Sequence, residues 1–331
     1  MSYFKLEHKL KEVKNFAEFG LTDLKETGIA SLNTLIKLKK GYPMFVGGAP
    51  FAGKSEFVFE LLINQSILNK WKHFIYCGEG GNTEHIFYEL LFKYLKNPYK
   101  YATEPEKISA EYFISEHFII CDHDSDYTID SFYQLVQQAE DEFNIRFDTT
   151  VFDPFNDIDE EDEKFKGAQH KFIQSALKKC RIVSKKHNRI DILVTHIADI
   201  KVEKDKDSGK NFERPAFPNE WAGGRTWWRR GFLMILVYRP PTFLKDDNGR
   251  PYEENETIIW VQKAKPKGIG KTGKVSIFFE WQKNIYYSYD ETGQKLYSCE
   301  TNQFKPLQPN QDFNVTVREK YNDNDNEGDP F

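Results

Sequence analysis

Residues 41–57, GYPMFVGGAPFAGKSEF, limit the possible folds more than any other stretch of this chain. An apolar run enters a glycine pair and crosses a short loop. It reaches Gly53-Lys54-Ser55, after which helical residues resume. The glycines let the loop turn with its backbone N–H groups inward, and a helix starting at Lys54 adds the positive end of its dipole. A strand, a loop and a helix in that order belong in an α/β sheet with the loop at the strands' carboxyl edge.

The rest of the chain repeats the theme. YPMFVGG (42–48), HFIYCGE (73–79), HFIICD (117–122), TTVFDPF (149–155) and IDILVTH (190–196) are apolar runs ending in polar or glycine residues, with helical stretches between them. Buried strands alternating with helices imply a mostly parallel central sheet flanked by helices. After Trp221 come FLMILVYR, ETIIWVQKAKPK, KVSIFFEW and IYYSYD, joined by turns such as DDNGRP and DETGQ. These runs read as C-terminal antiparallel hairpins that extend the same sheet. Residues 1–22 form a linker or docking helix, with Leu6, Leu10, Val13 and Phe16 on one face. Residues 23–300 form the main domain, and 301–331 a C-terminal extension with a disordered acidic tail.

Composition narrows the setting. No run approaches the roughly 20 apolar residues of a membrane span, and MSYFKLEHKL lacks a signal peptide's apolar centre, so the expectation is a cytoplasmic protein with no membrane contact. Cys77, Cys121, Cys180 and Cys299 stand far apart without a C-x-x-C, which argues against a zinc ribbon and reads as four small buried hydrophobes. The net charge of −5 argues weakly against nucleic acid, yet Asp323, Asp325, Glu327 and Asp329 in the last eleven residues supply most of it. Local basic patches therefore matter more than the total.

Gly48, Ala49, Pro50, Phe51, Ala52, Gly53, Lys54 and Ser55 fit G-x-x-x-x-G-K-[ST] with the flanking strand and helix that motif needs, and Glu56 follows in the helix's first turn. The cofactors implied are ATP and Mg²⁺. Lys54 would neutralise the β- and γ-phosphates and Ser55 would hold the metal. Asp153 ends TTVFD where a second metal-binding acid belongs. Glu79 closes the strand after the loop's helix, where a carboxylate can activate water. His196 ends ILVTH, placed to contact the γ-phosphate and report it to the loop that follows.

With these parts in order, the chain resembles the RecA-type ATPase core of the hexameric ring helicases, the DnaB group and particularly the Twinkle-type helicases of mitochondria and phages. The similarity runs from about TGIASLNTLIKLKKGYPMFVGGAPFAGKS (27–55) to WQKNIYYS (281–288). It implies a RecA-like P-loop NTPase fold, a catalytic role for Glu79, a metal-binding acid at Asp153 within Asp153-Pro154-Phe155-Asn156, and a phosphate sensor at His196. It also implies a DNA-binding loop after the sensor strand, carrying Lys201, Lys204, Lys206, Lys210 and Arg214 in a long, structure-poor segment. GGRTWWRR, with Trp227 and Trp228 among arginines, either stacks bases or belongs to the core. The family's trans-acting cations fall on Lys263 and Lys265, a departure because lysine replaces an arginine finger and lacks its planar fork.

The function implied is ATP-dependent replicative unwinding by a ring, a homo-oligomer and by resemblance a hexamer, acting on single-stranded and forked DNA. The sequence shows no primase, zinc module or helical collar, so primer synthesis is expected of another chain. The acidic tail ending in Phe331 resembles partner-docking tails of single-strand DNA-binding proteins and phage helicases, and implies a polymerase, primase or loader as partner. Two other readings stay open: a RecA-like recombination or annealing ATPase, and a regulatory nucleotide-binding subunit that recruits replication partners.

Overall fold

The strand that precedes the glycine pair, β1 (Met44–Gly48), is buried at every position. It lies between two parallel neighbours, β5 (Ile190–His196) and β8 (Leu233–Tyr238). A strand covered on both faces reads as a continuous apolar run rather than an alternation. Successive residues still point to opposite layers, so Met44 and Val46 join one core and Phe45 the other.

The computed structural model describes residues 3–122, 127–159, 165, 167–197 and 200–299. The parallel half of the sheet continues from β5 through β4 (Thr149–Asp153) and β2 (His73–Cys77) to β3 (Phe118–Ile120). Beyond β8 lie the antiparallel strands β9 (Glu256–Ala264), β10 (Gly273–Glu280), β11 (Ile285–Tyr289) and β12 (Lys295–Tyr297). The resulting sheet has ten strands in the order β12-β11-β10-β9-β8-β1-β5-β4-β2-β3.

Helices cover both faces. Around one core pack α3 (Lys54–Asn69), α4 (Thr83–Leu95) and α5 (Glu104–His117), which contribute Phe57, Leu61, Leu90 and Ile114. Around the other pack α6 (Ile129–Glu142) and α7 (Gln169–His187), with Phe132, Val136, Phe172 and Ala176. Local sequence sets their ends. Thr128 caps α6 by accepting the Ser131 N–H, and Thr103 with Glu106 forms a capping box at α5. A single turn, α2 (Ala30–Asn33), precedes β1.

Residues 3–20 form a unit of their own, and residues 21–299 form the main body. The first unit contains α1 (Leu10–Phe19), whose apolar face is exposed, with Phe16 55% accessible. The C-terminal extension from 301, with Asp323, Asp325, Glu327, Asp329 and Phe331, lies outside the described residues.

Several expectations change in detail. FLMILVYR reads as part of the hairpin region, yet β8 pairs parallel to β1. Residues 200–232 separate β8 from the parallel strands before it, with α8 (Arg225–Arg230) near the end of that stretch. The segment expected to be structure-poor holds a hairpin, β6 (Val202–Lys204) with β7 (Asn211–Glu213), closed by Asp205 accepting the Ser208 N–H at 2.7 Å. Cys77, Cys121 and Cys180 are buried as expected, but Cys299 is half-buried.

The two adjacent tryptophans separate cleanly. Trp227 is fully buried, edge-on to Phe45 and Phe155, whereas Trp228 is 42% exposed. Trp227→Ala should therefore cost about 3–5 kcal/mol and Trp228→Ala about 1 kcal/mol or less, as read from urea unfolding midpoints.

Candidate nucleotide site

The loop after β1 is built around positions that admit only glycine. A Cβ on Gly48 would lie 2.6 Å from the Val237 carbonyl oxygen, and Gly53 has φ +88°. Phe51 also adopts a left-handed backbone, φ +59°, and its ring is 96% exposed. The Phe57 N–H bonds back to the Gly53 carbonyl, so the preceding N–H groups of Lys54, Ser55 and Glu56 open the helix without intrahelical acceptors. Such a nest of N–H groups at a helix start suits an oxyanion.

The side chains converge on the same point. Lys54 is buried and donates from Nζ to the Ala49 carbonyl at 3.0 Å, and it lies 3.2 Å from His196 Nδ1. The opposite nitrogen, His196 Nε2, is 3.0 Å from Glu79 Oε1. Ser55 Oγ donates to Asp153 Oδ2 at 2.5 Å. Residues from β1's loop, β2's end, β4's end and β5's end thus meet because parallel strands deliver their carboxyl ends to one edge.

Burial shapes the charges. It pushes the Asp153 carboxyl up to about 6, against the opposing pull of Ser55 and Lys54. It also lowers the Lys54 ammonium, which Asp153 and Glu79 partly restore. Asp157 is raised by burial and by the nearby charge of Glu79. A nest of N–H groups, a buried lysine, and a hydroxyl bonded to a carboxylate together form a donor set that fits a polyphosphate with Mg²⁺.

Three details go beyond the motif. Asn156 Oδ1 accepts from the His196 backbone N–H and from Thr195 Oγ1, each at 3.1 Å, and so fixes the end of β5. Arg239, directly after β8, places Nη2 3.5 Å from the point a Gly53 Cβ would occupy, and its buried Nε has no acceptor among the described residues. The available signal was a cation closing an apolar strand, legible once β8 is known to flank β1. The Glu56 carboxylate pairs with buried Lys93 on α4, so only its backbone faces the cradle.

The remaining candidate residues divide. Lys204, Lys206 and Lys210 are exposed on the β6–β7 hairpin. Arg214 is instead held by Glu220 at 2.5 Å and Glu203 at 3.0 Å, and Lys201 pairs with Glu220 at 3.0 Å. Lys263 is buried, donates to the Trp228 carbonyl oxygen and has its ammonium lowered to about 8 by burial and by Lys265. Lys265, two residues on, is exposed.

The relatives share this architecture. An ATPase domain among the solved structures matches with a TM-score of 0.66 at 14% identity, over 86% of this chain and 99% of that domain. A DnaB-like replicative helicase, solved in a study of its interactions with primase, matches with a TM-score of 0.65 at 15% identity, over 85% of this chain and 67% of that one. The chain has the RecA-type core fold of the DnaB and Twinkle helicase group. In sequence, this RecA-type core is 26% identical over 288 residues to the Twinkle homolog protein, chloroplastic/mitochondrial, of Arabidopsis thaliana. That stretch is 83% of this chain and 36% of the plant protein, so the core spans about a third of the curated relative it matches. No family model matches the sequence. Among the described residues, no helix is long and apolar enough to cross a membrane.

Asp153 gives the RecA-type core a pH signature. Its carboxyl titrates near 3.8 when unfolded and about 6 when folded, so between those values the native state holds more protons. Stability from this group is therefore full below about pH 4 and falls as pH rises toward 6. Asp153→Asn should flatten that part of the profile, as measured by urea unfolding of the ligand-free protein at several pH values.

Proposed function

We propose that this chain is the motor core of an ATP-dependent replicative DNA helicase that works as a ring, a hexamer, on single-stranded DNA. The observation that carries this reading is the unbroken contact from Lys54 through His196 to Glu79, with Ser55 on Asp153 beside it. From the same sheet edge, directly after His196, the chain departs toward the lysine-bearing β6–β7 hairpin.

Each residue then has a task. Lys54 leaves the Ala49 carbonyl and the His196 ring to meet the phosphates, and the opening N–H groups of α3 orient them. Mg²⁺, when bound, neutralises phosphate charge, and Ser55 and Asp153 are the groups that would hold it. Glu79, more than half exposed at the site's mouth, accepts the proton of the attacking water once it is released from His196. Asn156 keeps the His196 backbone fixed, so a change in its ring is passed to β5 and the segment beyond. Arg239 adds a second cation beside Gly53.

The exposed Lys265 is the cation this subunit would offer to its neighbour's site, and Lys263 supports the strand from within. Lys204, Lys206 and Lys210 contact the phosphates of a single strand. Primase, named with the DnaB-like relative, and a polymerase or loader recruited by the tail at Phe331 are the proposed partners.

The direct test is strand separation on a forked duplex. The native protein with ATP and Mg²⁺ should unwind it, and Lys54→Ala should not. Hydrolysis stimulated by DNA without separation would instead favour the recombination reading. Within an active enzyme, Glu79→Gln should lower kcat by about 100-fold or more with little change in KM, and Arg239→Ala should mainly raise KM for ATP, by about tenfold.

A further inference from the structure

Helix α7 carries positive charge that the nucleotide site does not use. Its sequence, QHKFIQSALKKCRIVSKKH, contains Lys171, Lys178, Lys179, Arg181, Lys185 and Lys186 and no aspartate or glutamate, in a chain whose net charge is −5. Helical periodicity sorts the residues. Phe172, Ile173, Ala176, Leu177, Cys180 and Val183 face the core, while Lys171, Lys178, Arg181, Lys185 and Lys186 are exposed. Lys179 pairs with Asp130 at 2.7 Å, and the other five have no acidic partner among the described residues.

Two ordinary explanations fall short. Cations in a helix's last turn complement its dipole, which accounts for Lys185 and Lys186 but not for Lys171, Lys178 or Arg181 farther back. A solvated face of a soluble helix normally mixes signs, since neighbouring acids at three or four residues stabilise it. A one-sign stripe pays repulsion along its length.

Its place in the fold is also distinct. The helix runs from the carboxyl end of β4 back to the amino end of β5, so Lys185 and Lys186 lie at the sheet edge opposite the phosphate loop. The β6–β7 hairpin follows the other end of β5. From Lys171 to Lys186 the stripe is about 22 Å long, comparable to about six steps of duplex. Its exposed side chains include no Phe, Tyr or Trp and a single imidazole, His170, at the helix's first turn, whereas single strands are usually held by platforms of several aromatic rings. A band of cations along one side of the helix, with only His170 able to stack, suits the regular phosphates of a duplex.

We propose that the exposed face of α7 is a second nucleic-acid contact, which holds the phosphate backbone of duplex DNA through Lys171, Lys178, Arg181, Lys185 and Lys186. It rests on the reading of the chain as a DNA-acting motor and adds a duplex site to the single-strand hairpin.

The test is fluorescence anisotropy of the full chain with a blunt duplex of about 24 base pairs and with a single strand, over a salt series. Native protein is compared with Lys178→Glu/Arg181→Glu/Lys185→Glu and with Lys204→Ala/Lys206→Ala/Lys210→Ala. The α7 variant should lose duplex affinity by about tenfold or more at about 100 mM salt, with a log–log salt slope shallower by roughly two to three. Its single-strand affinity and its strand-stimulated ATP hydrolysis should be unchanged, and the hairpin variant should show the reverse pattern. Should charge reversal disturb the circular dichroism spectrum, Lys178→Gln/Arg181→Gln/Lys185→Gln decides with a smaller loss in the same direction. Unchanged duplex affinity and slope would overturn the proposal, as would native protein that binds single strands but no duplex, and either result leaves the helicase reading standing. An α7 variant that alters assembly mass without altering duplex binding would show that the face meets protein instead, which also overturns it. Native protein that binds neither form of DNA would remove the helicase reading and this proposal together.

Discussion

Asp153 ends a strand covered on both faces, and a carboxylate there is tolerable only because its neighbours answer it. It is 2% exposed, a depth at which an unpaired charge would instead be neutralised. Ser55 donates to it at 2.5 Å and Lys54 supplies opposite charge, while the Gly78 N–H, bonded to the Asp153 backbone carbonyl at 2.8 Å, ties the end of β2 to the end of β4. The dependence runs both ways. Lys54 is itself buried, and without Asp153 its ammonium would keep one carbonyl, one imidazole nitrogen and the more distant charge of Glu79. The phosphate loop, the end of β2 and the end of β4 are therefore one electrostatic unit, and Glu79 and His196 are built onto it.

This coupling explains why the core of the site is legible in sequence. Lys54, Ser55, Glu79, Asp153 and His196 each lie at or just past the end of a buried apolar run, and parallel strands gather such ends at one edge. The sheet class, its parallel half and the antiparallel extension follow from the same runs. What stays hidden depends on contacts distant in sequence. The parallel pairing of β8 with β1 joins strands far apart in the chain, and Arg239 gains meaning only through that pairing. Arg214 looks like its neighbouring lysines until Glu220 and Glu203 close on it. Lys263 and Lys265 differ by their surroundings along one run, where the first turns inward to the Trp228 carbonyl and the second stays in solvent. Trp227 and Trp228 are separated in a similar way by the turn of a short helix.

The segment between β5 and β8 has a firm root even though its tip is polar. Ile197 bridges to Trp221, whose indole N–H donates to Gln262 at 3.0 Å, and Gln262 in turn donates to the Ala216 carbonyl at 2.7 Å. Trp221 also presses against β1: a Cβ on Gly47 would meet its ring at 2.9 Å. The root of the hairpin segment is thus packed directly on the strand that feeds the phosphate loop and on the strand that carries Lys263.

That packing gives the proposed motor a physical route from phosphate to DNA that does not rely on His196 alone. Close-packed interiors transmit displacement because few voids absorb it. A shift in the loop after Gly48 presses on Trp221 through Gly47, and Trp221 is tied to β9 through Gln262, next to Lys263. The same ring therefore touches the strand that feeds the cradle and the strand that leads into Lys265. In the proposed trans role, Lys265 would recognise phosphate with less directionality than an arginine, since an ammonium offers a point charge where a guanidinium offers a planar fork. A point charge still neutralises phosphate, and its weaker directionality shifts the burden of positioning onto the packed elements behind it, which here are the Trp228 carbonyl, Lys263 and the Trp221 root.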